Sequence, residues 1–443
     1  MELNEKAAKA LEIVKRLKKA GFIAYWVGGC VRDMLLGKQP YDYDIATNAT
    51  PGVVEQMFEK TVAVGKQFGV ILVVIGDDTF QVATFRSESD YRDGRHPERI
   101  TFGDPVSDAK RRDFTINGLF YDPIKNDVID YVNGREDLER RLVRAIGSAD
   151  ERFNEDYLRM LRAIRFAAQL GFDIEESTFA AVKKNAEKIR LISAERIRDE
   201  LVKLFLPPHA ARGLELLRES GLLRAVLPEV ADMIGVEQSP DYHPEGCVYT
   251  HTLKTLENLP QDADETLVWA ALLHDVGKPR VAKQNKNDER RTFYDHDRVG
   301  ADMAKEILER LKFPSDKIEA IVACIRHHMQ LKDAPKMNKS TLRKMLARPT
   351  IGIEIELHRL DCLASHRKLD IYEFLKQKQN EYPEEKALPP TLISGEDLKQ
   401  LGFTEGVELG RVLKEIREKQ LLDEITTPEQ AIEYAKSRIK GLK

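Results

Sequence analysis

Cysteine is scarce in this sequence, and the four cysteines are far apart: Cys30, Cys247, Cys324 and Cys362. Because they form no C-x-x-C pair, a disulfide framework and a zinc ribbon are excluded, and a reducing, cytoplasmic location is expected. Apolar runs are short. The run at residues 70–75 is six residues long, which suits a buried strand and cannot span a bilayer. We therefore expect no membrane contact.

A strong excess of charge of one sign is also absent. Lysine and arginine total 70, aspartate and glutamate total 74, and the formal net charge is −4. This balance excludes a uniformly basic nucleic-acid coat, so any contact with RNA must use a local patch. The length of 443 residues suits about three domains or one long multi-lobed body.

Apolar patterning predicts an α+β fold with a mixed β-sheet first and helices afterwards. Strand patterns alternate with short helical ones up to about residue 140, and helical periodicity dominates from Leu138 onward. Segments containing proline and glycine at 239–246 and 382–390 predict domain seams. The predicted domains are residues 1–140, 141–237, 238–380 and 381–443.

Two aspartates, Asp42 and Asp44, are two positions apart in the predicted strand YDYDIAT. Residues i and i+2 of a strand face the same side, so the two carboxylates repel each other unless a cation lies between them. Oxygen ligands of this kind suit Mg²⁺. The alternative interpretation is a polar strand edge or a solvated Asx turn.

A phosphate-binding pattern precedes this strand. Gly28 and Gly29 end one strand and open a helix, where backbone N–H groups approach an anion closely, and Arg32 adds a guanidinium fork. A second group combines two arginines with an acid and an amide, which suits a triphosphate and a ribose: Arg111, Arg112, Asp113 and Asn117. Its alternative is a surface cluster of salt bridges. A phosphate cradle beside two carboxylates is the minimum for nucleotidyl transfer.

Asp156 and Arg159 are three apart in a predicted helix over residues 155–165 and are therefore neighbours on one face. A carboxylate only accepts hydrogen bonds and a guanidinium only donates them, so a rigid pair accepts cytosine and adenine and rejects guanine and uracil. The alternative is an ordinary ion pair within the helix. Arg162 and Arg165 extend a basic stripe beside the pair as further nucleotide contacts. Four more cations suit RNA phosphates, or simply a solvated helix face: Lys183, Lys184, Lys188 and Arg190.

Histidines and aspartates gather between residues 251 and 361. They are His251, His274, Asp275, His296, His327, His328 and Asp361. A His-Asp pair inside the apolar helix pattern at 269–276 needs partners, and a divalent metal provides one for both. Imidazole with carboxylate favours Mn²⁺, Ni²⁺, Fe²⁺ or Mg²⁺ over structural zinc. The alternative is a set of satisfied core and surface histidines.

Residues 28–201 carry seven motifs in an order that resembles the class II tRNA nucleotidyltransferase family, the CCA-adding enzymes and bacterial poly(A) polymerases. The motifs are GGCVRDMLLG, YDYDIAT, FQVATFRSESDYRDGRHP, RRDFTING, VNGREDL, NEDYLRMLRAIRF and AERIRDEL. Residues 393–425 are similar to the C-terminal part of bacterial members.

This resemblance implies a nucleotidyltransferase head, a helical neck and body, and a tail that contacts tRNA. It implies Mg²⁺ held by Asp42 and Asp44, with CTP, ATP and the tRNA 3′ end as partners and a homodimer as an expectation. Gly28, Gly29 and Arg32 would then contact the triphosphate. Asp156 and Arg159 would read the base.

Three features separate the functional alternatives within that family. Gln81 stands where the family often has a third carboxylate, which leaves open a vestigial head. The segment 87–103 fills the place of a flexible loop that CC-adding specialists lack, and 65–68 reads GKQF, closer to the tRNA-adding type than to poly(A) polymerases. We expect full CCA addition first, A-only addition second and poly(A) synthesis third.

The order H…HD…D resembles the HD phosphohydrolase superfamily. The resemblance implies a metal site of four ligands, His251, His274, Asp275 and Asp361. His296 and His328 are further candidate ligands or phosphate contacts, with His327 as the alternative to His328, and Lys278 would meet a phosphate oxygen. The third predicted domain would then be a divalent-metal phosphohydrolase.

Overall fold

A computed structural model describes residues 4–63, 69–91, 97–241, 243–284, 291–383 and 387–440. The chain forms two compact units, Met1–Ala231 and Asp232–Lys443. The GKQF segment at residues 65–68 lies outside the described residues, as does the part of the predicted loop at 92–96.

A mixed β-sheet forms the centre of the first unit. Its strands are β1 (Ala24–Val27), β2 (Asp44–Thr47), β3 (Thr61–Val62), β4 (Val70–Ile75), β5 (Asp78–Thr84), β8 (Leu119–Asp122) and β9 (Asp127–Asp130), in the spatial order β3-β4-β5-β2-β1-β8-β9. The strand β2 pairs antiparallel with β1 and parallel with β5. Apolar side chains such as Trp26 and Ile45 are fully buried, and their burial holds the strands that carry the candidate site.

The helices of this part are α1 (Glu5–Lys19), α2 (Gly29–Leu35), α3 (Pro51–Met57), α4 (Pro105–Lys110) and α5 (Gly134–Glu139), with a 3₁₀ helix at Thr115–Asn117. The strand β2 begins at Asp44, so Asp42 precedes it. The predicted loop at 87–103 contains an antiparallel hairpin, β6 (Arg86–Tyr91) and β7 (Pro97–Phe102).

Helices complete the first unit: α6 (Ala149–Glu155), α7 (Leu158–Leu170), α8 (Glu176–Asn185), α9 (Ala194–Leu204), α10 (Ala210–Ser220), α11 (Leu222–Val226) and α12 (Pro228–Ala231), with a 3₁₀ helix at Ala186–Leu191. The sequence pattern predicted one helix across residues 155–165. The chain instead breaks at Asp156, whose backbone is extended (φ −154°, ψ 105°), and α7 starts two residues later. Asp156 and Arg159 are therefore not neighbours on one helix face.

The second unit is helical: α13 (Val248–Glu257), α14 (Glu265–Leu273), α15 (Lys278–Val281), α16 (His296–Arg310), α17 (Ser315–His327), α18 (Lys339–Leu346), α19 (Ile351–Ala364), α20 (Asp370–Glu381), α21 (Gly395–Gln400), α22 (Val407–Leu421) and α23 (Pro428–Lys440), with a 3₁₀ helix at His328–Lys336. In α14 the residues from Thr266 to Leu273 are all buried, as expected for a central core helix. The last three helices share their own apolar cluster, which includes Leu398 and Ile416.

The helical regions also contain two short strand pairs that apolar periodicity did not predict. The strand β10 (Leu142–Val143) pairs with β11 (Asp173–Ile174), and β12 (Lys283–Gln284) pairs with β13 (Arg291–Thr292). A strand of two residues is too short to show a pattern of alternating apolar and polar residues. Within the described residues, no helix is long and apolar enough to cross a membrane.

Candidate functional site

A cavity of about 460 Å³ opens beside the end of β1 and the starts of β2, α2 and α7. Eleven residues that the sequence predicted for the metal or nucleotide site line it: Gly28, Gly29, Arg32, Asp44, Arg111, Arg112, Asp113, Asn117, Asp156, Arg159 and Arg162. Leu158, Phe166 and Arg196 complete the lining. The tertiary fold therefore brings together residues from five separate sequence motifs.

The backbone at Gly28 makes room for a ligand. Its φ is +76°, a conformation that glycine adopts without steric cost. A Cβ atom there would lie 3.0 Å from Nη1 of Arg112. The glycine thus allows the strand to turn directly into α2 while a guanidinium approaches the turn.

The two predicted metal-binding aspartates differ in their surroundings. Asp42 and Asp44 are both exposed and flank the buried Tyr43, so their side chains lie on the same side of the chain. Although Asp44 is exposed to the cavity, the protein around its carboxylate excludes enough water to raise its pKa; Arg112 opposes the shift and the negative charge of Asp42 adds to it. Asp44 lines the cavity, whereas Asp42 pairs with Lys6 of α1 at 2.5 Å.

Gln81, the residue in place of a third carboxylate, lies beside Asp44. The parallel pairing of Ile45 with Val82 puts Asp44 and Gln81, one residue earlier on each strand, next to each other. Both are exposed. An amide oxygen at this position can contact a water or a hydroxyl, but it brings no negative charge.

One buried acid orients the paired arginines. Asp108, which is 1% exposed, lies 2.8 Å from Nη2 of Arg111 and 3.0 Å from Nη2 of Arg112. Arg32 donates to Oδ1 of Asn117 at 2.8 Å. These contacts fix the guanidinium groups in advance, which suits recognition of a polyphosphate.

Asp113 is held inside the protein. Its Oδ2 lies 2.6 Å from Nη2 of Arg162, and its Oδ1 accepts from Nδ2 of Asn117 at 3.2 Å. Burial alone would raise the pKa of Asp113, but the charge and hydrogen bond of Arg162 overcome it and lower the pKa to about 2. Asp113 is thus an ionised anchor for Arg162 and Asn117.

Asp156 and Arg159 both line the cavity, but they have separate partners. Oδ2 of Asp156 lies 2.6 Å from Nη2 of Arg196 on α9. Nη1 of Arg159 lies 2.6 Å from Oε2 of Glu155, and its Nη2 donates to the backbone oxygen of Arg111 at 3.3 Å. The intrahelical ion pair that the sequence suggested is therefore replaced by two independently supported side chains.

Arg165, a predicted nucleotide contact, lies outside the cavity lining. It is 8% exposed, and its Nε lies 2.7 Å from Oε2 of the buried Glu200. Its guanidinium stacks over the ring of Phe166 at 4.2 Å. Arg162 and Arg165 are three apart on α7 and lie only about 60° apart around the helix. Their partners distinguish them, because Arg162 reaches Asp113 at the cavity and Arg165 pairs with Glu200. The structure supports a packing role for Arg165.

The cations predicted to meet RNA lie on an exposed surface of the first unit. Lys183, Lys184, Lys188 and Arg190 are all exposed. Lys184 pairs with Asp150 at 2.8 Å, and Arg190 pairs with Glu187 at 3.1 Å. Exposed pairs of this kind are weak and exchange readily for a phosphate contact.

In the second unit, three buried imidazoles present the same ring nitrogen to a common centre. Nδ1 of His274, His296 and His328 contacts the backbone oxygens of Ala271, Phe293 and Ile325 at 2.9, 2.7 and 2.6 Å. Because a carbonyl only accepts, each Nδ1 carries a proton, and in the neutral ring each Nε2 then has a lone pair. This is the tautomer that a metal ligand needs.

The ligand atoms of the residues that the sequence predicted form two neighbouring groups. The first contains His251, His274 and Asp361, and the second contains Asp275, His296 and His328; within each group the atoms lie within 4.8 Å of one another. Oδ2 of Asp275 lies 3.3 Å from Nε2 of His274, and its Oδ1 lies 3.5 Å from Nε2 of His296. Asp275 therefore faces both groups.

The adjacent pair His327 and His328 has different environments. Nε2 of His328 lies 3.2 Å from Nε2 of His296, whereas Nδ1 of His327 lies 3.4 Å from Oε1 of the buried Glu354. His328 is thus the residue that joins the cluster. Lys278 is also buried and approaches Oδ2 of Asp275 at 2.7 Å.

Sequence reasoning missed Glu245, which supports His251. Its fully buried carboxylate lies 2.5 Å from Nδ1 of His251 and 2.9 Å from Nδ1 of His243. It falls in the proline- and glycine-containing segment that we assigned as a seam, and no periodic pattern marked it. A cavity of about 580 Å³ opens onto this cluster, with Tyr294, which is 78% exposed, at its edge.

Three known families match successive parts of the chain. The Poly A polymerase head domain matches residues 24–144, the probable RNA and SrmB-binding site of polymerase A matches 171–234, and the HD domain matches 242–363. The first contains most of the cavity, and the third contains both metal-ligand groups.

Relatives extend the similarity over nearly the whole chain. The CCA-adding enzyme of Lactobacillus helveticus is 33% identical over 96% of this chain and 95% of its own. That of Latilactobacillus sakei is 33% identical over 96% of both. Among solved structures, the CCA-adding enzyme of Bacillus stearothermophilus in complex with CTP has a TM-score of 0.75 and 26% identity, covering 99% of both chains.

The fold and the cavity define a nucleotidyltransferase with a mixed-sheet head, followed by helical regions that include an HD domain. Domains of these two kinds typically use divalent metals, and the second unit holds candidate groups of metal ligands. The chain belongs to the family of CCA-adding enzymes.

Proposed function

We propose that this protein adds C, C and A to the 3′ end of tRNA from CTP and ATP. The observation that carries the proposal is the convergence, in one cavity, of a carboxylate, a glycine turn with arginines, and the side chains Asp156 and Arg159. These are the parts that metal-dependent nucleotidyl transfer and base selection require. The similarity to two CCA-adding enzymes covers nearly the full length of each of those relatives.

The 3′-hydroxyl of the RNA attacks the α-phosphate of the nucleotide in line, and pyrophosphate leaves. The exposed carboxylates of Asp42 and Asp44 suit Mg²⁺, because they are hard oxygen donors on one side of the chain. Mg²⁺ bound there would lower the pKa of the attacking hydroxyl and neutralise charge on the phosphates. Gly28, Gly29 and Arg32 hold the triphosphate, assisted by Arg111 and Arg112.

Base selection follows from the direction of hydrogen bonds. Asp156 accepts from the exocyclic amino group of cytosine or adenine, and Arg159 donates to the neighbouring ring nitrogen. Uracil and guanine present a carbonyl to the carboxylate and an N–H to the guanidinium, so both contacts become repulsive. The protein itself thereby acts as the template.

The test uses three labelled tRNAs that end at the discriminator base, at C and at CC. Each is offered every NTP separately and CTP with ATP, and products are resolved to single nucleotides. We expect CCA on the first tRNA. Addition only to the CC-ended tRNA would mean an A-adding specialist, long A ladders would mean a poly(A) polymerase, and no addition would mean a vestigial head.

The site assignment has its own test. Asp42→Ala with Asp44→Ala should abolish addition, while Asp127→Ala, at an exposed position on the same sheet, should retain it. Addition by the double variant would overturn the assignment.

A second activity, hydrolysis of phosphate esters, is favoured by the HD cluster. His251, His274, Asp275 and Asp361 would hold one divalent metal, and His296 with His328 would hold a second that shares Asp275. The supporting observation is the common orientation of the imidazoles: each Nδ1 faces a backbone oxygen, and Nε2 of His274 and of His296 lies 3.3 and 3.5 Å from Asp275. Mixed nitrogen and oxygen donors suit Mn²⁺, Ni²⁺ or Fe²⁺, and Mg²⁺ remains a candidate.

The two activities separate by mutation. His274→Ala with Asp275→Ala should abolish hydrolysis of bis(p-nitrophenyl) phosphate in Mn²⁺ or Ni²⁺ and leave CCA addition in place. Asp42→Ala should do the reverse. Unchanged metal content and hydrolysis in the first variant would refute the HD assignment.

The partners that follow are the tRNA 3′ end, CTP and ATP. A homodimer and a cytoplasmic location stay predictions, as do the four domain boundaries. Sedimentation of the purified protein would decide between monomer and dimer.

A further inference from the structure

We propose that Arg196 is a positioning residue for base discrimination, which it controls by fixing the carboxylate of Asp156. This inference rests on the proposed function. It concerns a residue of α9 for which the sequence pattern suggested no role.

Both oxygens of Asp156 are engaged. Oδ2 lies 2.6 Å from Nη2 of Arg196, and Oδ1 accepts from the backbone N–H of Leu158 at 3.1 Å. Asp156 sits at the break between α6 and α7, where no helical hydrogen bond fixes the direction of its side chain. Its orientation therefore depends on one local contact, from the N–H of Leu158, and on one contact from Arg196, which is distant in sequence.

Arg159 does not provide that contact. Its guanidinium lies 2.6 Å from Glu155 and donates to the backbone oxygens of Arg111 and Arg152 at 3.3 and 3.2 Å. The two base-reading side chains are thus held by separate supports, Arg196 for the acceptor and Glu155 for the donor. Loss of one support should disturb one half of the recognition.

Arg196 is available for this role because it lines the cavity and has no competing carboxylate at its second nitrogen. Its Nη1 is buried and has no hydrogen-bond partner among the residues that the structure describes. Burial of a donor without a partner lowers the stability of the folded protein. The contact with Asp156 is the role that explains an arginine at this position.

The consequence for selection is direct. A fixed Asp156 keeps an acceptor facing the exocyclic position, where cytosine and adenine present an amino group and uracil and guanine a carbonyl. If the carboxylate is free to rotate, it can turn away from the carbonyl, and the penalty against the wrong base falls. Triphosphate binding, which uses other side chains, should change little.

The experiment measures kcat and KM for CTP and UTP on a tRNA ending at the discriminator base, and for ATP and GTP on one ending at CC. The variants are Arg196→Gln and Arg196→Lys, with Arg198→Gln as control. Arg198 is on the same helix, pairs with Asp199 at 2.8 Å and does not line the cavity.

We expect Arg196→Gln to reduce the CTP/UTP and ATP/GTP ratios of kcat/KM by about tenfold, the size of one good base contact. The change should come mainly from improved use of the wrong nucleotide. Arg196→Lys should restore part of the ratio, because it keeps the charge but not the fork. Arg198→Gln should match the wild type.

Equal loss for all four nucleotides, with unchanged ratios, would mean a purely structural role and overturn the inference. If Arg196→Gln is too unstable to assay, Arg196→Lys and Asp156→Asn are measured separately. Wild-type CTP/UTP and ATP/GTP ratios in both variants would overturn the inference. A wild-type protein that adds no nucleotide would instead overturn the proposed function.

Discussion

Nε2 of His296 lies 3.2 Å from Nε2 of His328, and the Nδ1 atom of each ring is bound to a backbone oxygen. Two lone pairs at this distance repel each other unless a cation joins them. Burial, followed by the neighbouring His274 and His296, lowers the pKa of His328 to about 4, so a proton is a poor bridge at neutral pH. A divalent metal fits this position better, since Asp275 supplies the opposite charge.

Metal counting tests this arrangement. After loading with Mn²⁺ and dialysis, we expect two tightly bound ions in the HD cluster by mass spectrometry. His328→Ala should lose about one ion by removing a ligand of the second group, and His251→Ala should lose the other. His209→Ala, outside the cluster, is the control. Full metal content in His328→Ala would contradict the second ion.

Lys6 bears on the head site, because it pairs with Asp42 at 2.5 Å. The ammonium and a metal ion compete for the same carboxylate, so Lys6→Ala should lower the Mg²⁺ concentration for half-maximal nucleotide addition. The pair is partly exposed and such pairs contribute about 0.2–1 kcal/mol, so we expect a change of up to about fivefold. The measurement is a Mg²⁺ titration of single-nucleotide addition.

The matched control is Lys9→Ala. Lys9 is on the same helix and pairs with Asp78 and Glu5 instead. A similar shift in both variants would trace the effect to net charge and not to Asp42.

Gln81→Glu should strengthen metal binding in the head. The new carboxylate would lie beside Asp44, and extra ligand charge raises affinity for a hard divalent cation. We expect half-saturation by Mg²⁺ at a concentration about three- to tenfold lower, measured in the same titration. Gln56→Glu, exposed on α3, controls for net charge. An equal decrease in the half-saturating Mg²⁺ concentration in Gln56→Glu would rule out a local effect of Gln81→Glu.

Glu175 should make stability depend on pH. Its carboxylate caps α8 by accepting from the backbone N–H and hydroxyl of Thr178, both at 2.8 Å. Burial opposes the shift, but these hydrogen bonds and those from Ser177 lower the pKa of Glu175 from 4.5 to about 2. The folded state favours the ionised form, so this stabilisation is complete above pH 4.5 and is lost as the pH falls toward 2.

Glu175→Gln should therefore destabilise the protein at pH 7 by about 1 kcal/mol, as for loss of a helix cap. The difference in Tm from the wild type should shrink as the pH falls below about 4.5, as followed by circular dichroism. Glu176→Gln, the next residue, should show no such convergence. A constant difference in Tm across this range would contradict the account.

Much of the head could be predicted from the sequence because its motifs are local. The Gly28-Gly29 turn, the start of α2 and the exposed pair Asp42 and Asp44 depend on residues within a few positions of one another. The same holds for the buried helix α14, whose apolar run specifies its burial. The resemblance then supplied the order of motifs, and the comparisons confirm the family and the fold class.

The partners of the candidate site residues could not be predicted, because they come from distant parts of the chain. The helical pattern predicted an unbroken helix through Asp156, yet this residue lies at a break and pairs with Arg196. The sequence by itself determined which chemical groups the two sites contain. Only the tertiary structure decided that Arg165 turns to Glu200 and that His328 rather than His327 meets His296, because side-chain direction is set by long-range packing.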